Sequence, residues 1–82
     1  MNKVHVLFFA TLKEKAGLSE TQLDLLDGSN VAGFKKALFT RFPDLPRMSS
    51  TLVVAVNQEF AFDTDPIPAG AEIAVFPPVS GG

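Results

Sequence analysis

Apolar residues recur along the chain at two spacings, and the switches between them divide it into elements. From Lys3 to Ala10 the residues are mostly β-branched or aromatic, the composition of a strand. Alternation places Val4, Val6, Phe8 and Ala10 on one face and His5, Leu7 and Phe9 on the other. Both faces carry apolar residues, which predicts a central strand with one face on the core and the other partly covered or reserved for a partner. Thr11-Leu12-Lys13-Glu14 has the spacing of a capping box and predicts a short helix that Gly17 ends. Leu12, with Ala16 or Leu18, would form its buried edge. Glu20 to Leu26 alternates again, with Thr21, Leu23 and Leu25 set against Gln22 and Asp24, and Asp27-Gly28-Ser29 closes that strand with a turn.

The longest helical period follows. Asn30 is the expected N-cap, and Val31, Phe34, Leu38 and Phe42 fall on one stripe. Pro43 stops the helix at Arg41 or Phe42, because the residue before a proline is pushed out of the α region. Asp44 to Ser50 reads as a loop. Thr51 to Val56 is nearly all apolar and predicts a buried strand, with Asn57-Gln58 as a tight turn into a short strand at Glu59 to Phe62. A turn-rich stretch from Asp63 to Gly70 leads to a last strand, Glu72 to Phe76. The first and last strands are the most apolar and suit the sheet centre. They would run parallel, since the crossover between them contains the helix. The expected class is therefore α+β: a ubiquitin-like β-grasp with a mixed sheet, one main helix packed across it and a short helix after the first strand.

Composition narrows the chemistry. Eighty-two residues make one domain, with 46% hydrophobic residues and eight phenylalanines to fill a modest core. A formal charge of −2 argues against a nucleic-acid footprint. The apolar run from Val6 to Ala10 is too short to span a bilayer, and no signal-peptide pattern precedes it, so a cytoplasmic location without membrane partners is expected. The sequence has no cysteine and one histidine, His5, so neither a thiolate site nor a histidine metal cluster is expected. Asp24, Asp27, Asp63 and Asp65 sit at turns or polar strand positions, where hydrogen bonding to backbone accounts for them.

The end of the sequence is different. Residues 1–76 read as the β-grasp domain and 77–82 as a flexible tail, Pro77-Pro78-Val79-Ser80-Gly81-Gly82. The two prolines favour an extended path away from the last strand. Gly81 and Gly82 lack side chains, so such an end fits a channel too narrow for a Cβ and offers the Gly82 carboxylate as its one reactive group. A carboxylate becomes electrophilic only after conversion to an adenylate or an acyl phosphate, which requires a partner enzyme. Phe9, Phe60 and Phe76 point away from the helix by alternation, so an aromatic docking surface is expected at the root of the tail. The tail itself is expected to be mobile when free and ordered inside a partner.

Val6-Leu7-Phe8-Phe9-Ala10, Ala55-Val56-Asn57-Gln58 and the terminal Phe76-Pro77-Pro78-Val79-Ser80-Gly81-Gly82 resemble the small, sulfur-carrier subunit of molybdopterin synthase, the MoaD family. The resemblance spans nearly the whole chain, and its specific part is the Pro-Pro-Val-Ser-Gly-Gly end. Ala71 departs from it, at a position where family members often carry an acidic residue. The resemblance implies that an E1-like adenylating partner uses ATP to activate Gly82 and that a sulfur donor protein converts the adenylate to a thiocarboxylate. The large synthase subunit then takes Pro77 to Gly81 into its site, and the sulfur passes to a cyclic pyranopterin precursor. It implies no cofactor bound by this chain. A sulfur carrier for thiazole synthesis or a ubiquitin-like protein modifier would use the same activated glycine, and a plain β-grasp interaction module would leave the tail without chemistry.

Overall fold

The computed structural model describes residues 1–45 and 52–77. In chain order these are β1 (Asn2–Phe8), α1 (Thr11–Ala16), β2 (Glu20–Leu25), α2 (Val31–Arg41), β3 (Val53–Val56), β4 (Glu59–Ala61) and β5 (Glu72–Phe76). The five strands form one sheet in the order β2-β1-β5-β3-β4. β1 and β5 are parallel neighbours, with His5 beside Glu72 and Phe8 beside Val75. The other neighbouring pairs are antiparallel. A mixed sheet with a helix across one face is the ubiquitin-like β-grasp, as the order of apolar runs predicts.

Alternation explains which face the helix covers. Val4, Val6 and Phe8 of β1 and Ile73 and Val75 of β5 are buried together with Val31, Phe34 and Leu38 of α2. Phe8 meets Phe42 edge to face at 5.3 Å, which ties the end of α2 to the end of β1. Asn30 caps α2 by accepting a hydrogen bond from the Gly33 amide at 3.0 Å. Leu45 is also buried, below the end of α2. The connection after β4 clamps the start of α2: the Val31 amide donates to the Asp65 carbonyl and the Ala32 amide to the Asp63 carbonyl, each at 3.0 Å. Asp65 also accepts from the Phe62 amide at 2.7 Å, the backbone role expected of a turn aspartate. Lys35 lies against this connection with its stem buried and its Nζ 2.8 Å from Asp63 Oδ1.

Three local expectations are corrected, and one open alternative is settled. The capping box at Thr11 and Glu14 does not form. Ala10 occupies the N-cap, no side chain caps α1, and Thr11 is already the first helical residue. Its hydroxyl therefore lies one position too late to reach the orphan amides. β1 also stops at Phe8, and Ala10 is exposed instead of joining the core face, because the chain turns at Ala10 with φ 54°. Leu18 is exposed and Ala16 packs against the core, so the inner edge of α1 is Leu12 with Ala16. β4 ends at Ala61, one residue short of Phe62, whose amide turns to Asp65. Gly17 does end α1 in the left-handed region, at φ 80°. Asn57 and Gln58 form the tight β3–β4 turn with φ 51° and 73°, the geometry of a two-residue hairpin loop that matches strand twist.

Candidate docking face and tail root

Because β1 and β5 are parallel and adjacent, both finish at the same end of the sheet. The Phe9 amide donates to the Val75 carbonyl at 3.2 Å, just past the last paired residues. Phe9 and Phe76 are thereby brought side by side, and their rings stack at a centroid distance of 4.8 Å and an interplanar angle of 15°. Phe9 remains 41% exposed, and Phe76 and Pro77 are half-buried. An aromatic ledge thus flanks the point where the chain leaves the sheet. Pro78 to Gly82, and with them the expected reactive carboxylate of Gly82 and the insertion residues Pro78, Val79, Ser80 and Gly81, lie outside the described residues.

Phe60 is on the same face, 79% exposed, but does not join the stacked pair. It sits on edge strand β4, opposite Ala55, which in turn lies opposite Ala74, which pairs with Leu7. Two alanines therefore form a shallow floor between aromatic borders. Val53, opposite Phe76, completes that floor, and Phe62, just past the end of β4, is also 79% exposed. Leu7, Val53, Ala55, Phe62 and Ala74 were not among the expected docking residues. Period two carried along β1, β3 and β5 places Leu7, Val53, Ala55 and Ala74 on the face opposite α2, so their signal was present in the alternation, whereas Phe62 lies past the end of β4. An apolar face with large rings at its border is the kind of surface that proteins bury on association.

The other half of the face is polar. His5 Nε2 stands 3.6 Å from Glu20 Oε1, and Glu72 lies beside His5 across the parallel pair. Asp24 and Asp27 are exposed, and Asp27 lies 3.5 Å from the N-terminal amine. Among the described residues no group of three or more His, Cys, Asp or Glu side chains could hold a metal. No helix among them is long and apolar enough to cross a membrane. Ala71, the departure from the family pattern, is buried, and its carbonyl accepts from the His5 amide at 3.0 Å.

A β-grasp sheet with one face open and half of it apolar, and a central last strand that ends beside an exposed aromatic pair, places the chain in the ubiquitin-like fold class. The chain belongs to the ThiS family, whose description matches residues 6–82. The molybdopterin synthase sulfur carrier subunit of Chlamydomonas reinhardtii is 34% identical over 82 residues, covering 98% of this chain and 99% of that one. The subunit of the same name from Dictyostelium discoideum is 37% identical over 84 residues, covering 99% and 98%. Among solved structures, small archaeal modifier protein 1 of H. volcanii superposes with a TM-score of 0.85 at 28% identity, covering 96% of this chain and 100% of that one.

Proposed function

We propose that this chain is the sulfur-carrying subunit of molybdopterin synthase and that the Gly82 carboxylate carries the sulfur. The observation that carries most weight is the joint one: the family match runs to Gly82, and the last strand delivers Phe76 and Pro77 to the edge of an exposed apolar face. In this scheme the carboxylate oxygen of Gly82 attacks the α-phosphorus of ATP on an adenylating enzyme, releasing pyrophosphate and leaving an acyl-adenylate. Hydrosulfide released by a sulfur donor then attacks the acyl carbon, the C–O bond to AMP breaks, AMP departs, and the sulfur loses its proton to leave the terminus a thiocarboxylate. A thiocarboxylate sulfur is ionised at neutral pH and strongly nucleophilic. Within the large subunit it is transferred to a cyclic pyranopterin precursor, and hydrolysis of the resulting acyl link restores the carboxylate.

The domain ending at Phe76 serves as the handle and residues 77–82 as the working segment. Phe9, Phe60 and Phe76 dock the handle, while Pro77 to Gly81 enter the partner. The likeness to an archaeal modifier protein favours one second use of the same activated glycine, an isopeptide bond to a protein amine. Incubation with an adenylating enzyme, ATP and a sulfur donor tests the activation step by intact mass. Wild-type chain gains the mass of one oxygen-to-sulfur exchange at its C-terminus, and a chain lacking Gly82 does not. Conversion of the shortened chain would remove Gly82 from the chemistry. Protein adducts in place of the thiocarboxylate would select the modifier role.

A further inference from the structure

The open face changes character along its strands. Its apolar end, at Phe9 and Phe76, gives way to a row in which Glu20 flanks Leu7, then to one in which Glu72 flanks His5, and last to Asp24 opposite Lys3. Glu20, Asp24, Glu72 and Lys3 are all exposed, so the face carries three carboxylates against one lysine. Among the described residues neither Glu72 nor Asp24 is in an ion pair. The helices, packed on the other face through Leu12, Phe34 and Leu38, carry the reverse charge. α1 and α2 hold Lys13, Lys15, Lys35, Lys36 and Arg41 against a single acid, Glu14. A formal charge of only −2 is therefore segregated across the sheet, negative on the open side and positive on the helix side. A surface that joins exposed rings to unpaired charge of one sign fits a partner whose apolar patch is bordered by the opposite sign.

We propose that the open face docks on a positively charged surface of the large subunit in one orientation: the apolar end surrounds the mouth that receives the tail, and Glu20 and Glu72 meet lysine or arginine side chains behind it. Glu72 and Phe76 are the first and last residues of β5, so the basic group that meets Glu72 stands roughly 13 Å back from the tail root. The charged rows steer the approach and fix its direction, and the rings hold the complex once it forms. This rests on the function proposed above and adds to it the sign and placement of charge on the partner.

Association of the full chain with the large subunit, followed by stopped flow over a range of salt, tests the proposal. Wild-type association should slow as salt rises, because screening weakens the attraction between opposite charges. Glu20→Gln/Glu72→Gln should associate roughly fivefold more slowly at low salt and with a flatter salt dependence, while dissociation changes by less than about twofold. Glu20→Lys/Glu72→Lys should reverse the trend, so that added salt speeds association. Glu14→Gln/Asp44→Asn removes the same charge from exposed positions at the helix ends, and its association should stay within about twofold of wild type. Wild-type rate and salt dependence in the Glu20→Gln/Glu72→Gln protein, or equal slowing by the helix-end pair, would overturn the inference while leaving the proposed function intact. A wild-type chain that fails to bind the large subunit at any salt would refute the proposed function, and the inference with it.

Discussion

At the level of single residues, the fold depends on polar groups whose purpose appears only in three dimensions. Asn2 is buried beneath the connection before β5, where its amide donates to the Pro68 carbonyl at 3.0 Å and accepts from the Gly70 amide at 2.8 Å. Replacing it with alanine leaves both backbone groups without that partner, and urea unfolding should register a loss of about 1–3 kcal/mol. A change inside about 0.5 kcal/mol would mean that the clamp is dispensable. Nothing in the sequence near Met1 distinguishes Asn2 from an ordinary polar terminus, because both its partners are more than sixty residues away. Phe76 is the opposite case. Alternation alone put its ring on the face away from α2, where it stacks on Phe9. Phe76→Asp should weaken the large-subunit complex by ~2 kcal/mol or more while the protein stays folded. Calorimetry showing equal affinity would remove the stack from the interface.

Elements show where local sequence rules hold and where packing overrides them. The two helices begin differently. Asn30 caps α2 through its side chain, so Asn30→Ala should cost about 1 kcal/mol. Thr11 caps nothing, so Thr11→Ala should change stability by less than about 0.5 kcal/mol. A cost at Thr11 equal to that at Asn30 would restore the capping box that the turn at Ala10 displaces. Boundaries were readable where a single strong signal fixed them, as at Gly17, at Phe42-Pro43 and at both ends of β5. They were misread where the chain turns against its propensity. Ala10 has no intrinsic preference for positive φ, so its turn is invisible in the sequence, and Phe62 leaves β4 because Asp65 captures its amide.

For the molecule as a whole, the sheet order follows from the apolar content of its strands. β1 and β5 lie side by side and parallel near the centre, next to the wholly apolar β3, and the helix-bearing crossover between β1 and β5 leaves one face open. The aromatic members of that face were legible from alternation. Its floor of Ala55, Ala74 and Val53 follows from the same alternation, but that these small residues lie together needs the cross-strand pairing as well. Asn57 makes the same point: its side chain accepts from the Glu72 amide at 2.9 Å, pinning the β3–β4 turn to the start of β5. The scaffold thus fixes the end of β5 from one side through the Phe9 stack and its beginning through Asn57, so that the segment after Phe76 leaves from a defined point. The claim that this segment carries sulfur on Gly82 is tested most directly by single-turnover transfer. Carrier bearing a Gly82 thiocarboxylate is mixed with large subunit and cyclic pyranopterin precursor, without ATP or a sulfur donor, and product and carrier mass are followed together. Sulfur should appear in the pterin product as the carrier returns to its carboxylate mass, whereas product formed with the carrier's thiocarboxylate intact would contradict the account.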